Sequence, residues 1–359
     1  TKLIYLMDLQ LDPFYVINMK VNLISDTVSK PSKEMLDFML NAQVGDDVFK
    51  EDPSVNELEF VIADMFGMDN ALFFPSGTMT NQTAIKLLTS PGDQLICSKY
   101  AHVYNYEGGG VSFNSGVSCK LIDKEKGLFD HIDVIKSINP PDFYHSPKTS
   151  LVCVENTTNK GGGACWNIEE INKIKKVCIE NNLNFHLDGA RIWNAYISNG
   201  IDFKEYGKVF DTISVCLSKG LGCPVGSVLL CSKEKYDEAL RFRKIFGGGM
   251  RQSGYLAACG IYALKNNINR LAEDHKRAFD IGKKLKTLSF ITKVEDVESN
   301  IVIFEIDEKI ESQKFLDELS KKGISIISMG DNKLRVVTHI DYTEDQHQYF
   351  LSLLEELNI

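Results

Sequence analysis

The sequence predicts an α/β protein with a large domain, built on a mostly parallel sheet flanked by helices, and a smaller C-terminal α/β domain. From about residue 54 onward, short apolar runs alternate with helix-length segments, which is typical of βαβ units. The sequence pattern changes after a long helical stretch predicted over residues 251–271. We therefore divide the chain into an N-terminal arm and large domain at 22–265 and a small domain at 266–359.

Local patterns predict the individual elements in order. A helix is predicted after Pro53, because apolar residues recur at helical spacing from Leu58 to Met65. Further helices are predicted over residues 80–88 and 168–182 and from Thr343 onward. Strands are predicted in the runs ALFFPSG, DQLICS, SLVCVEN, NFHLDGAR, DTISVCLSKG, VGSVLLCS, NIVIFEI, GISIIS and KLRVVTH.

The composition is ordinary for a soluble globular protein, with 359 residues, a formal net charge of −9 and 43% hydrophobic residues. The acidic balance argues against nucleic acid or an anionic membrane as a partner. Nine scattered cysteines form no CxxC pair, and no Cys/His spacing fits a metal site. We expect reduced, mostly buried thiols, no metal and a cytoplasmic location. Residues 1–21 fit neither a signal peptide nor a membrane span, and we treat them as an N-terminal extension of unknown role.

Chemically notable residues follow four predicted strands, where open α/β sheets place their active sites. The segment 76–78 (Ser-Gly-Thr) precedes a helix and reads either as an anion site or as an ordinary helix cap. Asp188 ends an apolar strand, and a local pair with Arg191 is the alternative to a catalytic role. Lys219 reads either as a functional amine or as an exposed loop lysine, and His102 taken alone is as readily structural.

Together these four signals match the needs of pyridoxal phosphate. The amine of Lys219 would form a Schiff base with the aldehyde, and Asp188 would pair with the pyridine nitrogen. The turn at Gly77 and Thr78 would take the phosphate. A nucleophilic lysine has to spend time neutral, so we expect Lys219 to be partly buried among small residues.

Eight segments resemble, in the same order, the threonine aldolases of the β-eliminating-lyase group, which are pyridoxal-phosphate enzymes of the aspartate-aminotransferase-like fold (fold type I). The segments are SDTVSKPS (25–32), VGDDVFKEDPSVNELE (44–59), FPSGTMTNQ (74–82), AHVYNYEGGG (101–110), HLDGARIWNA (186–195), CLSKGLGCPVGSV (216–228), FGGGMRQSG (246–254) and LRVVTH (334–339). Eight collinear segments are far more specific than one motif. At Ile24, Lys50 and Thr158 the chain departs from the residues usual in the family, which leaves its side-chain preference open.

The resemblance implies a role for each matching residue. Catalysis is assigned to Lys219, His102 and His145, with either histidine or a bound water as the base for the β-hydroxyl. Cofactor binding is assigned to Lys219, Asp188, Arg191, Gly77, Thr78, His102 and, from a neighbouring subunit, Arg251. Substrate binding is assigned to Ser25, Arg191, Arg335 and Lys244, because guanidinium groups suit a carboxylate.

The implied reaction is the pyridoxal-phosphate-dependent cleavage of L-threonine or L-allo-threonine to glycine and acetaldehyde, as part of glycine biosynthesis or threonine catabolism. The partner is then a small β-hydroxy-α-amino acid, and the protein a homotetramer built as a dimer of dimers. A β-eliminating lyase and an aminotransferase are alternatives on the same fold, since they need the same lysine, aspartate and phosphate turn. The presence of Lys219 and Asp188 opposes a non-catalytic protein of this fold. The absence of GxGxxG between a strand and a helix opposes a dinucleotide enzyme.

Overall fold

The computed structural model describes residues 19–357 and confirms the predicted α/β fold. Its strands are β1 (Val21–Asn22), β2 (Asn70–Phe74), β3 (Gln94–Ser98), β4 (Ser118–Ile122), β5 (Thr149–Glu155), β6 (Asn184–Gly189), β7 (Thr212–Cys216), β8 (Ser227–Cys231), β9 (Ile291–Val294), β10 (Ile301–Ile306), β11 (Ile324–Ser325), β12 (Ile327–Gly330) and β13 (Lys333–Val337). Its α-helices are α1 (Lys33–Leu40), α2 (Pro53–Phe66), α3 (Gly77–Leu88), α4 (His102–Asn105), α5 (Gly110–Ser115), α6 (His131–Ser137), α7 (Ile168–Glu180), α8 (Ile192–Asn199), α9 (Phe203–Val209), α10 (Lys233–Ile245), α11 (Gly254–Asn266), α12 (Leu271–Leu285), α13 (Ser312–Lys321) and α14 (Glu344–Glu356).

A seven-stranded sheet in the order β2-β8-β7-β6-β5-β3-β4 forms the centre of the large domain. The strands from β7 to β4 run parallel, as predicted, whereas β8 lies antiparallel between β2 and β7. A direct loop from β7 to β8 turns the chain back, which only an antiparallel neighbour permits. Every residue of β5 is buried, as expected for a strand with helices over both faces.

The small domain is a four-stranded antiparallel sheet, ordered β12-β13-β10-β9, packed against helices. Its apolar core includes Phe304, Phe315 and Phe350. The start of the described chain joins this core, because β1 pairs in parallel with β11 and both Val21 and Leu23 are buried there. Most of the predicted extension of unknown role, residues 1–18, lies outside the described residues.

The single long helix predicted over residues 251–271 is instead two helices, α11 and α12, separated near Asn267. The side chain of Asn267 is buried and donates a hydrogen bond to the carbonyl of Leu221, 2.8 Å away in the loop after β7. Asparagine favours such bonds to the backbone over the helix interior. The break in the helix therefore fixes the loop that carries Lys219.

All nine cysteines are unpaired and seven are buried, in agreement with the prediction from their scattered positions. Within residues 19–357, no helix has both the length and the apolar character needed to cross a membrane.

Candidate active site

The parallel strands bring the predicted chemical groups to one edge of the sheet. Asp188 lies near the end of β6, Lys219 follows β7, and His102 begins α4 shortly after β3. Because parallel strands end at the same edge, these side chains meet there. They line a cavity of about 150 Å³, here called the inner cavity, bounded by Gly77, Thr78, Asn81, His102, Asp188, Ala190, Cys216, Ser218 and Lys219.

The first turn of α3 forms one side of the inner cavity. Ser76 caps the helix, since its hydroxyl accepts a hydrogen bond from the N–H of Met79 at 3.2 Å. The N–H groups of Gly77 and Thr78 have no acceptor within the helix and remain for an anion. A Cβ on Gly77 would lie 2.6 Å from the sulfur of Cys216, so only glycine lets the helix start this close to β7. The cap and the anion site thus coexist.

Lys219 projects from the loop between β7 and β8 and is half-buried. Its Nζ lies 3.8 Å from Sγ of Cys216, and no carboxylate in the described part of the chain pairs with it within 4.0 Å. Its backbone carbonyl accepts hydrogen bonds from the hydroxyl of Ser29 at 3.0 Å and from the N–H of Gly222 at 2.8 Å. The loop is held in place while the amine stays free of an ion pair, as a bond to an aldehyde carbon requires.

A buried hydrogen-bond network joins Asp188 to His102. The amide nitrogen of Asn81 donates to Oδ2 of Asp188 at 3.0 Å and to Oε1 of Glu107 at 2.8 Å. Glu107 also lies 2.9 Å from Nδ1 of His102 and accepts from Gln82 at 2.6 Å. Metal-ligand atoms of His102, Glu107 and Asp188 lie within 4.8 Å of one another. Each of the three residues also takes part in the hydrogen bonds of this network.

His186 fixes the orientation of the Asn81 amide. Burial lowers the pKa of His186 to about 4, so the ring is neutral at physiological pH. The hydroxyl of Thr212 lies 2.8 Å from its Nδ1, and the amide oxygen of Asn81 lies 3.1 Å from its Nε2. With Nε2 protonated, the ring donates to that oxygen, which turns the NH₂ group of Asn81 toward the two carboxylates.

His102 is held in an acidic environment. Burial acts to lower its pKa, but the hydrogen bond that His102 donates to Glu107 and the charges of Asp188, Glu107 and Glu155 outweigh burial and raise it. Glu155, at the end of β5, accepts a hydrogen bond from the backbone N–H of His102 at 2.8 Å. With Nδ1–H donated to Glu107, the ring keeps Nε2 for proton transfer.

A second cavity of about 400 Å³, here called the outer cavity, adjoins the inner one. It is lined by Ser25, Thr27, His102, Tyr106, Asn159, Lys160, Arg191, Lys219, Ile327, Ser328, Met329 and Arg335. Of the described residues, four lysines or arginines and no aspartate or glutamate line it, although the chain carries a net charge of −9. A cavity with this charge attracts anionic ligands.

Arg191 in the outer cavity is already paired with an acid. Its Nε and Nη2 donate to the two carboxylate oxygens of buried Asp26, at 2.8 and 2.7 Å. Burial opposes ionisation of Asp26, but the charge and hydrogen bonds of Arg191 hold its pKa well below the ordinary value. The side chain of Asn300 donates to the same carboxylate at 3.3 Å. Arg191 can therefore offer a ligand the hydrogen bonds of Nη1 but little net charge.

Arg335, in contrast, has only neutral hydrogen-bond partners within residues 19–357. Its Nη1 donates to the amide oxygen of Asn159 at 2.7 Å, and its Nη2 donates to the carbonyl of Ile24 at 3.0 Å. Its Nε is buried without a hydrogen-bond acceptor. Burial and the nearby charge of Arg191 lower the pKa of Arg335. A desolvated guanidinium without a counter-ion favours the binding of a carboxylate. Ser25, predicted to bind substrate, lines the same cavity.

Three predicted site residues lie outside both cavities. His145 is exposed on a loop, where its ring centroid lies 4.0 Å from that of Tyr144. Lys244 is exposed near the end of α10, and exposed Arg251 pairs with Asp46 at 2.9 Å. The resemblance assigns Arg251 to the site of a neighbouring subunit. The single chain places none of the three in either cavity, so their roles stay predictions.

Sequence reasoning missed Asp26, Asn81 and Glu107, which hold other site residues in place. Asp26 and Glu107 stand inside the segments SDTVSKPS and AHVYNYEGGG, each close in sequence to a predicted site residue. The five-residue spacing of Glu107 from His102 within one segment is a signal that could have found Glu107, whereas no local signal points to the partners of Asp26 or Asn81.

The inner cavity fits pyridoxal phosphate on its own chemistry. It combines an amine without an ion pair at Lys219, a carboxylate at Asp188 and free backbone N–H groups at Gly77 and Thr78. These are the groups required for an aldehyde, a protonated ring nitrogen and a phosphate.

The chain is similar to known proteins over most of its length. The sequence model of the β-eliminating lyase family matches residues 22–309. The chain is 36% identical over 343 residues to the probable low-specificity L-threonine aldolase 2 of Arabidopsis thaliana, covering 94% of this chain and 97% of that one. It is 38% identical over 326 residues to the low specificity L-threonine aldolase of Escherichia coli (strain K12), covering 91% and 96%. The Leishmania major threonine aldolase structure shares the fold, with a TM-score of 0.82 at 19% identity over 94% of this chain and 99% of that chain.

Proposed function

The chain belongs to the β-eliminating lyase family, and on this premise we propose that it is a pyridoxal-phosphate-dependent aldolase acting on β-hydroxy-α-amino acids. Its proposed substrates are L-threonine and L-allo-threonine, which it cleaves to glycine and acetaldehyde. The observation that carries this proposal is Arg335, a cation whose partners in the described part of the chain are all neutral, lining the same cavity as Lys219. Such a cavity can hold a substrate by its carboxylate next to the reactive amine.

Lys219, Asp188 and the start of α3 are proposed to hold the cofactor. When bound, pyridoxal phosphate supplies an aldehyde and a ring that accepts electrons. The amine of Lys219 is the attachment group, and Asp188, oriented by Asn81, accepts the hydrogen bond of the ring nitrogen. The N–H groups of Gly77 and Thr78 bind the phosphate.

The substrate carboxylate is proposed to bind Arg335, Nη1 of Arg191 and the hydroxyl of Ser25. Arg335 supplies the net charge, because Asp26 already neutralises Arg191. Fixing the carboxylate fixes the rotation of the substrate about its α-carbon, and this rotation selects the bond that breaks.

His102 is proposed as the base for the β-hydroxyl. Glu107 binds Nδ1–H, so Nε2 carries the lone pair that accepts the hydroxyl proton. Removal of that proton lets the Cα–Cβ bond break and the aldehyde leave. His145 is less suited to this role, since it lies outside both cavities of the single chain.

We extend the proposal to a cytoplasmic homotetramer that serves glycine biosynthesis or threonine catabolism. The oligomer is supported by the assignment of Arg251 to a neighbouring site by family resemblance. In this arrangement His145 and Lys244 would complete the substrate end of a site in the assembly.

The test is acetaldehyde release by the cofactor-loaded protein, measured separately with L-threonine and L-allo-threonine. Lys219→Ala is the matched control and should abolish release from both. Absence of release by the unmodified protein would contradict the aldolase proposal. Pyruvate and ammonia from a substrate with a good β-leaving group would then indicate a β-eliminating lyase, and formation of an oxo acid from the amino acid an aminotransferase.

A further inference from the structure

We propose that Lys160 forms a subsite for a second carboxylate, carried on the β-substituent of the substrate. The enzyme would then also cleave β-hydroxy-α-amino diacids such as β-hydroxyaspartate. This inference rests on the aldolase function proposed above and adds a substrate class to the same site.

Three of the four cations that line the outer cavity already have a task. Lys219 is committed to the cofactor, Arg191 is neutralised by Asp26, and Arg335 is placed to take the α-carboxylate. Lys160 remains. None of the carboxylates in residues 19–357 lies within 4.0 Å of its ammonium group. The cavity thus has one positive charge more than a monocarboxylate substrate can balance.

Lys160 lines the outer cavity but not the inner cavity, which holds the proposed cofactor groups. Its Nζ lies 5.3 Å from the centroid of the Tyr106 ring, and that ring lies 5.6 Å from the ring of His102. The preceding residue, Asn159, accepts the hydrogen bond of Arg335. Lys160 therefore shares one cavity with the proposed base and the carboxylate-binding arginine, and we infer that a β-substituent would end near it.

The neighbouring lysines differ from Lys160 because each of them forms an ion pair with an acid. Lys160 also borders a further cavity of about 490 Å³, whose other lysines all form ion pairs with acids. Lys293 pairs with Glu295 at 2.8 Å, and Lys333 pairs with Glu305 at 3.2 Å. Lys160 instead lies over an aromatic face, which holds an ammonium group without neutralising it.

The chemistry of this substrate class balances as it does for threonine. In β-hydroxyaspartate, the base takes the proton of the β-hydroxyl and the Cα–Cβ bond breaks. The hydroxyl oxygen becomes the aldehyde oxygen of glyoxylate. The α-carbon gains a proton to give glycine, so no oxidant or reductant is needed.

The test compares the holoenzyme with the variants Lys160→Gln and Lys160→Arg. L-Aspartate and L-asparagine, which lack the β-hydroxyl and differ in one carboxylate, serve as binding probes in calorimetry. The unmodified enzyme should bind L-aspartate about tenfold more tightly than L-asparagine, because a charge-assisted bond adds about 1.4 kcal/mol. Lys160→Gln should remove the difference and Lys160→Arg should keep it. Lys293→Gln, which changes a lysine that has its own acid, is the matched control.

The kinetic arm measures the ratio of kcat/KM for β-hydroxy-L-aspartate to that for L-threonine. Lys160→Gln should lower this ratio about tenfold, and Lys293→Gln should leave it unchanged. A fall of less than about threefold in Lys160→Gln, or an equal preference for the two probes in the unmodified enzyme, overturns the subsite. If the unmodified enzyme releases no acetaldehyde from L-threonine, the aldolase proposal fails instead, and the binding arm still decides the role of Lys160.

Discussion

Replacing Arg335 by methionine should weaken catalysis strongly without harming the fold. Among the residues that the structure describes, the guanidinium donates only to the amide of Asn159 and the carbonyl of Ile24, and its Nε has no hydrogen-bond acceptor. Its removal therefore strands no buried acid, but it takes away the charge that faces the substrate carboxylate. Truncating one partner of a desolvated charge pair costs about 2–5 kcal/mol. Because Arg335 is half-buried, we expect ~3 kcal/mol, or about 150-fold in kcat/KM.

The assay is acetaldehyde release over a range of L-threonine concentrations, with urea unfolding measured in parallel. Arg335→Lys keeps the charge but loses the planar guanidinium. Its kcat/KM should lie between those of the unmodified enzyme and Arg335→Met, about tenfold below the unmodified enzyme. Lys333→Met on the same strand, whose ammonium pairs with Glu305, is the matched control. A kcat/KM for Arg335→Met within about fivefold of the unmodified enzyme would refute the assignment of the carboxylate to this residue.

Two further outcomes follow from the ion pairs of the site. Arg191→Met should lower the free energy of unfolding by about 3–5 kcal/mol, because it leaves buried Asp26 without its counter-ion. An unchanged urea midpoint would contradict this. Glu107→Gln should lower the pKa of His102, which Glu107 helps to raise. Since the base works only when neutral, activity in the unmodified enzyme falls as the pH drops through the raised pKa. The acid limb of the kcat/KM profile, measured from about pH 5 to 9, should therefore move to lower pH in the variant, and an unmoved limb would count against His102 as the base.

The sequence predicts the strands, and the reactive residues that follow them, well, because both are local patterns. Asp188 and Lys219 each close an apolar run, and the run itself places them at the edge of the sheet. The pairing of Asp26 with Arg191 joins residues 165 positions apart, which no local pattern can reveal. The break between α11 and α12 was missed for the same reason. Asn267 stops the helix by bonding to a carbonyl of a loop that only the folded chain brings near.

The segment that runs from β1 to Asp26 links the mechanics of the two domains. Leu23 accepts a backbone hydrogen bond from Val337 at 2.9 Å, so the residues just before Ser25 move with the small-domain sheet that also bears Arg335. Lys219 belongs to the other domain. A rigid-body rotation of the small domain would thus change the separation between the group that grips the substrate carboxylate and the group that receives its amine. The ion pair between Asp26 and Arg191 joins this segment to the sheet that carries Lys219, so the same bond that neutralises an arginine also connects the two groups that would hold the substrate.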